Sequence, residues 1–391
     1  MAKKEFDVVL CGATGFVGRQ SVRYFERHAP AGLRWAIAGR DPARLQALGA
    51  NVPILVFDSL LQDQVDALVS RTRIIVSTAG PFRVYSDPLV DACVRLNTHY
   101  VDISGETPRI RDLMDRYHHA AVEARVRIVP FCALISAPAD LMVHLLNEQL
   151  AGGLVEAKGF VQMGGGSFSG GTISSIALAH TNGDAARASD PFLLNPDRRR
   201  PAQAIEQDPT GVHYDRTVAA WTAPSPSGLG DTRAVRRSGT LTANEVIYQE
   251  YMAFPGRFGL VRAYGFHAVM RLLDVMMRNG PARRLLQRCI PPGSGPSDKA
   301  MDAGWFELRV SGRRADGKQA NVSFRGEGDA GNRITVKCVC EAAFLLAWEE
   351  PSLPEMFGVL TPSVAFGDLL VNRLAASGIR IRVDDATVLP K

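Results

Sequence analysis

The 391-residue sequence lacks the patterns that mark secreted, zinc-binding and membrane-spanning proteins. Its six cysteines are scattered and none belongs to a Cys-x-x-Cys pair, so we expect buried thiols in a reducing compartment rather than disulfides or a zinc site. No apolar run reaches the roughly 18 residues that a membrane-spanning helix needs. The opening residues, MAKKEFD, carry no signal-peptide pattern. We therefore expect a cytoplasmic protein, and association with a membrane surface stays open.

Several catalytic and nucleic-acid-binding signatures are missing too. None of the eight tyrosines is followed by a lysine four residues later, which excludes the Tyr-x-x-x-Lys chemistry of short-chain dehydrogenases. The sequence contains no G-x-S-x-G elbow, H-E-x-x-H helix or phosphate-binding P-loop. The net charge is only +5, and the arginine clusters have no interleaved aromatic residues, so we expect no nucleic-acid partner.

What the sequence does contain is a glycine-rich turn close to its start. An apolar run at residues 8–10 leads into Gly12, Gly15 and Gly18, and an amphipathic segment follows. Glycine adopts backbone angles that strain other residues, and a bare backbone lets a pyrophosphate approach the N–H groups of a helix N-terminus. The pattern predicts a strand, a nucleotide-binding turn and a helix, with a plain strand–helix turn as the alternative. The predicted cofactor contacts here are Gly12, Thr14, Gly15, Phe16, Val17 and Gly18.

The first 130 residues alternate between short apolar runs and helical patterns. Strands are predicted at residues 8–10, 35–38, 54–57, 73–77, 100–103 and 127–131. Strands that alternate with helices of this length form right-handed crossovers and a parallel sheet. We expect a doubly wound α/β domain that binds a dinucleotide at the carboxyl edge of its sheet.

The residues after the second predicted strand indicate which cofactor binds. An acidic side chain at this place selects NAD, whereas Arg40 suits the 2′-phosphate of NADPH. Asp41 precedes Pro42 and is expected to cap the next helix. Asp58, after the third strand, has two roles that can coexist, a hydrogen bond to adenine and the N-cap of a helix at Leu60. The expected cofactor is NADP(H).

The end of the fourth strand supplies the cofactor crevice. A turn there, which would run beneath the nicotinamide ribose, contributes the predicted contacts Ala79, Gly80 and Pro81. Tyr85 follows and is a candidate proton donor, with packing as the alternative. Asp102 and Glu106 fall at the same edge of the sheet, and helix capping explains Glu106.

After Pro138 the regular alternation ends. Helices are predicted at residues 139–149, 341–348 and 367–377, and strands at 158–163, 305–310, 319–325 and 333–338. Residues 185–239 are rich in proline, glycine, serine and charged residues, which favours long surface loops. Residues 256–279 form an amphipathic segment with scattered arginines. A core or dimer helix and a membrane-surface helix are the alternatives for it.

Longer motifs extend over nearly the whole chain. They are GATGFVG with AGRDPARL, STAGPFRVYSDPLVDAC, THYVDISGE, SGGTISS, DPFLL, PPGSGPS and GVLTPSVAFGDLLVNRL. In these motifs the chain resembles the saccharopine dehydrogenase-like oxidoreductases, and among them the bacterial trans-acting enoyl reductase family. The resemblance implies a Rossmann-type NADP-binding domain over residues 1–135 and a central α+β substrate and dimerisation domain over 136–354. It also implies that residues 355–391 pack back on the first domain, and that hydride passes from NADPH, in some members to an enoyl group on a polyketide-derived lipid chain.

One motif departs from that family. Where its members have Cys-Gly-Phe-Asp-Ser-x-Pro-Ser-Asp after the sixth strand, this chain has Ile135 in place of the first aspartate. Ser136 follows and is the second candidate proton donor, with water as the alternative. We expect an NADPH-dependent reductase of a C=C bond in a hydrophobic small-molecule or acyl-carrier-bound substrate. The alternatives are a C=N reductase and a nucleotide-binding protein that acts without turnover at a lipid surface, and a homodimer stays open.

Overall fold

The computed structural model describes residues 4–165, 168–195, 202–384 and 387–388. Strands and helices alternate regularly up to residue 129. The strands are β1 (Phe6–Cys11), β2 (Trp35–Gly39), β3 (Ile54–Val56), β4 (Thr72–Ser77), β5 (His99–Asp102) and β6 (Arg127–Val129). The helices are α1 (Phe16–His28), α2 (Pro42–Gln46), α3 (Gln62–Ser70), α4 (Phe82–Tyr85), α5 (Asp87–Arg95) and α6 (Thr107–Glu123).

The later described residues form elements in a less regular order. The strands are β7 (Leu154–Gly164), β8 (His213–Asp215), β9 (Ala220–Pro224), β10 (Ile247–Phe254), β11 (Trp305–Arg314), β12 (Lys318–Glu327), β13 (Gly358–Val359), β14 (Arg380–Val383) and β15 (Thr387–Val388). The helices are α7 (Ala137–Gln149), α8 (Gly170–Thr181), α9 (Asp184–Arg187), α10 (Gly228–Leu241), α11 (Gly259–Arg278), α12 (Gly280–Cys289), α13 (Asp298–Asp302), α14 (Thr335–Trp348) and α15 (Pro362–Ala376). Single helical turns lie at Ala204–Glu206, Ala330–Ile334 and Glu350–Ser352.

The first sheet is parallel throughout and has the strand order β13-β6-β5-β4-β1-β2-β3. Its central strand β1 is buried at every residue, as expected of a strand whose two faces are both covered. The reversal of strand order between β1 and β4 creates the crevice in which doubly wound folds bind their ligands. The predicted α/β class and its six predicted strands are confirmed, and β13 adds a seventh.

The second sheet has the order β14-β12-β11-β7-β10-β9-β8, with β15 paired to β12. Only β7 and β10 pair in parallel in this sheet, whereas its other pairings are antiparallel. Helix α7 packs against β11 and β12. Within the described ranges, no helix is both long and apolar enough to cross a bilayer.

Helix α14 joins the two halves of the molecule. It contacts α1, β4 and β5 of the first sheet as well as α15. The rings of Phe344 and Phe25 lie 4.7 Å apart. Glu341, buried on the same helix, accepts a hydrogen bond from Tyr24 at 2.6 Å and one from Arg373 at 2.7 Å. The chain after residue 330 therefore returns to the first sheet before it ends.

The strand predicted at residues 333–338 is wrong. A helical turn covers Ala330–Ile334, and α14 starts at Thr335. Cys338 and Cys340 are both fully buried although they point in different directions, because α14 is enclosed by α1, α15 and the sheet. A helix that is buried on all sides loses the polar stripe by which a helical period is recognised.

Some long surface loop is predicted within residues 185–239, and the structure adds regular elements to this segment. The described part of this segment contains α9, β8, β9 and most of α10. Helix α10 begins with GLGD, and glycines there weaken the sequence signal for a helix. Gly230 is required by packing, because a Cβ at this position would lie 2.4 Å from Cγ2 of Ile135.

The C-terminal residues are divided between the two sheets. Gly358–Val359 pairs with β6 at the edge of the first sheet, whereas Arg380–Val383 pairs with β12 in the second sheet. The implied return to the first domain thus holds for β13 and not for β14. The division of the chain at residues 135 and 354 stays a prediction.

Candidate functional site

The glycine turn after β1 is held together by backbone contacts that exclude a side chain. Gly12 has φ +79°, and a Cβ there would lie 2.9 Å from the amide nitrogen of Ala79. A Cβ at Gly18 would lie 2.1 Å from the carbonyl oxygen of Gly12. Gly15 precedes α1 and provides no side-chain cap. The N–H groups of Phe16 and Val17, in the first turn of α1, are therefore placed to bind a pyrophosphate.

A second segment closes over this turn. A Cβ at Gly295 would lie 2.4 Å from Cζ of Phe16, so Gly295 packs directly on that ring. Arg19 donates to the carbonyl oxygens of Thr14 at 3.1 Å and Gly293 at 3.2 Å, which ties the segment to the turn. The PPGSGPS motif thus lies against the turn that is predicted to bind the nucleotide. Sequence reasoning did not place it there, because about 275 residues separate it from the turn.

The adenosine end of the site lies after β2. Arg40 is exposed, and among the described residues it forms no ion pair. Its Cζ lies 5.3 Å from the ring centre of Tyr85. Asp41 accepts from the N–H of Arg44 at 3.1 Å, which confirms its predicted capping role. A free guanidinium next to an aromatic ring fits a phosphorylated adenosine.

Asp58 forms a local turn instead of a helix cap. Its carboxylate accepts from the N–H of Leu60 at 3.0 Å, and its own N–H donates to Gln64 at 2.8 Å. Helix α3 begins later than predicted, at Gln62, so Asp58 is not its N-cap. The predicted contact with adenine stays a prediction.

The crevice after β4 is built around Glu106. Its carboxylate accepts from the N–H groups of Phe82 at 3.0 Å and Arg83 at 3.2 Å, and from Oγ of Ser175 at 2.7 Å. Glu106 therefore caps α4 and not α6, whose start it precedes without a side-chain cap bond. Gly80 and Pro81, joined by a cis peptide bond, lie directly before α4. These contacts bring α8, which carries Ser175, over the predicted Ala79–Gly80–Pro81 turn.

Asp102 has a structural role. It is fully buried and accepts from the hydroxyl of Tyr100 at 2.8 Å, the N–H of Ser104 at 2.9 Å and Nη1 of Arg109 at 2.9 Å. Burial, and then the Asp102 charge, raise the pKa of the Tyr100 phenol well above its usual value. Since these contacts occupy both carboxylate oxygens, we assign Asp102 to the scaffold of the sheet edge.

Ser136 lies at the same edge of the sheet, after β6. It has φ +89° and is fully buried, and its N–H donates to Oδ1 of Asp231 at 2.6 Å. Its Oγ has no hydrogen-bond partner within the described residues. Ile135 fills the space between two glycines, since Cβ atoms at Gly105 and Gly230 would lie 3.1 Å and 2.4 Å from its Cγ2. A buried hydroxyl without a partner, next to an apolar side chain, is suited to bind a substrate.

Comparison with known proteins agrees with this geometry. A family model described as the saccharopine dehydrogenase NADP binding domain matches residues 8–129. A Mycobacterium tuberculosis (strain ATCC 25618 / H37Rv) protein, provisionally named trans-acting enoyl reductase Rv2449c, is 34% identical over 410 residues that cover 97% of each chain. The trans-acting enoyl reductase of Mycobacterium ulcerans (strain Agy99) is 30% identical over 411 residues, again 97% of each chain.

The chain belongs to the trans-acting enoyl reductase family of saccharopine dehydrogenase-like oxidoreductases. It is an NADP-dependent oxidoreductase, and NADP(H) is its cofactor. The apo histidine-tagged saccharopine dehydrogenase (L-Glu forming) from Saccharomyces cerevisiae has the same fold. The TM-score is 0.56 at 14% identity, over 97% of this chain and 100% of that chain.

For this enoyl reductase family member, one feature of the site was not predicted from sequence. Asp231 and Glu250 are both buried, and their carboxyl groups lie close enough to influence each other. Glu250 also accepts from the hydroxyls of Ser227 at 2.8 Å and Tyr248 at 2.9 Å. Burial, and then the Glu250 carboxyl, raise the pKa of Asp231 well above its usual value. No basic side chain among the described residues forms an ion pair with either acid, which favours the protonated form of Asp231.

The two candidate proton donors of this enoyl reductase family member lie at different ends of the crevice. Tyr85 lies beside Arg40, at the adenosine end. Ser136 lies beside Ile135 and Gly105, at the carboxyl edge of β5 and β6. In a doubly wound sheet this second position is on the nicotinamide side of the crevice. The catalytic role of either residue stays a prediction.

Proposed function

We propose that this protein reduces the C=C bond of a hydrophobic enoyl substrate with hydride from NADPH. The observation that carries the proposal is the surroundings of Ser136, where an unpartnered buried hydroxyl lies beside Ile135. The ionisable group bonded to Ser136 is the acid Asp231, which offers no positive charge to a dicarboxylate substrate. An apolar wall with a single hydroxyl instead suits an uncharged chain that carries a carbonyl group.

The residues have distinct roles in this proposal. Bound NADPH supplies a hydride to the β carbon of the enoyl group. In the proposal Ser136 hydrogen-bonds the carbonyl oxygen, on which negative charge develops during the reduction. The α carbon then takes a proton from the Ser136 hydroxyl or from water, so that the C=C bond gains one hydride and one proton. The left-handed backbone of Ser136, fixed by Asp231, sets the direction of this hydroxyl.

We further propose that the substrate is a thioester on an acyl carrier. The support is the name carried by the mycobacterial relatives, which describes them as trans-acting enoyl reductases, together with their alignment over 97% of each chain. The size and chain length of the substrate follow from neither observation, so the assay should vary both.

The test is NADPH consumption with a series of 2-enoyl thioesters of increasing chain length. We expect turnover that improves with chain length, and Ser136→Ala should lower kcat about 100-fold or more, as loss of one oxyanion donor does. Ser189→Ala, a change at an exposed serine, is the matched control. Turnover of cyclic imines alone would assign the protein to C=N reduction instead.

A second candidate function is nucleotide binding without turnover. The observation that favours it is Ile135, which fills the place of the family aspartate and packs against Gly105 and Gly230. Under this alternative the protein binds NADPH but consumes none with any thioester or imine. Consumption that is sensitive to Ser136→Ala would exclude the alternative.

A further inference from the structure

Residues 257–290 form a helical hairpin, made of α11 and α12, with an unusual charge. This basic hairpin contains seven arginines and a single acidic residue, Asp274. Asp274 is already paired with Arg278 at 2.9 Å. The hairpin is therefore strongly positive, whereas the whole chain has a net charge of only +5.

The outer face of α11 is apolar and exposed. Val261 is 71% exposed and Leu272 60% exposed, which is far from the burial that large aliphatic side chains usually reach. The large exposed apolar side chains along this helix and at its N-cap are Phe258, Leu260, Val261, Tyr264, Val269, Leu272 and Val275. At 100° per residue they fall within an arc of about 180°, and Leu260, the least exposed of them, lies at one edge.

The arginines border this apolar arc on both sides. By the same helical geometry Arg262 lies at one edge of the arc, and Arg271 and Arg278 lie at the other. All three side chains belong to exposed residues. An apolar stripe between two rows of cations is the arrangement of a helix that lies in the plane of a membrane interface.

The opposite face of the hairpin is fixed to the enzyme. Met277 and Leu273 pack with Ile173 and Ala177 of α8 in a separate apolar cluster. Phe266 lies 5.4 Å from Phe254 of β10, measured between ring centres. The apolar arc therefore points outward because the other side of α11 is already buried.

The hairpin also adjoins the cofactor site. Helix α8, on which it packs, contributes Ser175 to Glu106 in the crevice. The segment that leaves α12 packs on Phe16 of the nucleotide turn. Docking of the hairpin on a surface would thus bring the mouth of the crevice close to that surface.

We propose that the basic hairpin docks on an anionic lipid surface, with the apolar arc in the acyl boundary and the bordering arginines at the headgroups. A second copy of the chain fits this face poorly, because an isologous contact would bring two strongly positive hairpins together. A bilayer instead supplies both an apolar layer and a negative surface. This docking does not depend on the proposed reduction and holds for the protein with or without turnover.

Flotation of the full chain with lipid vesicles tests the proposal. We expect binding to vesicles that contain phosphatidylglycerol, little binding to phosphatidylcholine alone, and loss of binding as salt is raised. The pair Val261→Ser and Leu272→Ser should abolish binding. The pair Arg271→Gln and Arg278→Gln should weaken it roughly tenfold or more, as expected for two charges near an anionic surface.

Matched controls separate docking from misfolding. Leu61→Ser with Val383→Ser changes two exposed apolar side chains elsewhere, and Arg216→Gln with Arg382→Gln changes two exposed arginines elsewhere. All four pairs should bind NADPH like the parent, because none touches the nucleotide turn. If the control pairs reduce flotation as much as the hairpin pairs do, the proposal is overturned.

Three other outcomes would also overturn it. If the parent chain fails to float with anionic vesicles, the face is not a lipid surface. If the chain does not bind vesicles but sediments as a dimer, and the pair Val261→Ser and Leu272→Ser dissociates that dimer, the face joins two copies. Binding to an acidic acyl carrier protein that the same pair abolishes, with vesicles ignored, would assign the face to a protein partner.

Discussion

The guanidinium of Arg40 lies against the ring of Tyr85, with Cζ 5.3 Å from the ring centre. Both residues are placed near the end of β2, where a doubly wound fold holds the adenosine half of its cofactor. The pair can therefore hold the adenine and the 2′-phosphate of the adenosine ribose together, with the aromatic ring positioning the guanidinium. The sequence leaves proton donation and packing open for Tyr85, and this contact adds a third role, cofactor binding.

Substitution of Tyr85 distinguishes these roles. Tyr85→Phe keeps the aromatic ring, so we expect unchanged NADPH affinity and turnover. Tyr85→Ala removes the ring and should weaken NADPH binding by about 0.5–2 kcal/mol, the range for a cation–π contact. Calorimetric titration and steady-state kinetics measure both effects. If Tyr85→Phe abolished turnover while NADPH still bound, Tyr85 would be the proton donor.

Arg40 should decide the preference between the two nicotinamide cofactors. It is exposed and has no ion-pair partner among the described residues, so its charge is available for a 2′-phosphate. Arg40→Ala should weaken NADPH binding by about 1.5–3 kcal/mol, as expected for hydrogen bonds to a charged group, and leave NADH binding unchanged. Arg44→Ala, at an exposed arginine of the following helix, is the control. Equal losses for the two cofactors would contradict the assignment.

Gly18 should be intolerant of any side chain. Its Cβ would lie 2.1 Å from the carbonyl oxygen of Gly12, so the turn must move to accept it. Gly18→Ala should lower the free energy of unfolding by about 1–3 kcal/mol, the usual cost of overpacking, and also weaken NADPH binding. Gly280→Ala is the control, since nothing lies within 4 Å of a Cβ there. Urea denaturation and NADPH titration of both variants measure the contrast.

The sequence predicts the first sheet well for a physical reason. Parallel strands covered by helices on both faces are apolar along their whole length, so each one is visible as a short apolar run. β13 escapes detection because only Gly358 and Val359 pair with β6. Helix α14 was assigned in part to a strand because it is buried on all sides and so lacks a polar stripe.

The candidate site also contains residues that the sequence predicts and residues that it does not. The glycine turn, Arg40 and the cap at Asp41 are local, so nearby residues determine them. Glu106 is not local, since it precedes α6 but caps α4. Asp231 and Glu250 meet only because α10 packs against β10, and sequence spacing says nothing about that contact. Residues that the tertiary fold brings together were therefore the ones missed.

The raised pKa of Asp231 predicts how stability depends on pH. The pKa of Asp231 is raised above 3.8 by burial and then by Glu250, so the folded chain keeps a proton that the unfolded chain loses. The free energy of unfolding should therefore fall as pH rises from about 4 toward the folded pKa. Asp231→Asn cannot ionise, yet its amide can still accept from the Ser136 N–H and donate to Glu250.

We therefore expect Asp231→Asn to unfold at a higher temperature than the parent at neutral and alkaline pH, with a difference that shrinks toward pH 4. Asp231→Ala leaves the Ser136 N–H and Glu250 without a partner and should be less stable than Asp231→Asn by about 1–3 kcal/mol. Thermal unfolding followed by circular dichroism across this pH range measures both variants. A parent and an Asp231→Asn variant with parallel pH profiles would show that Asp231 is ionised in the folded protein. A positive charge near Asp231 and Glu250 would then have to offset their repulsion, because two adjacent buried carboxylates repel each other.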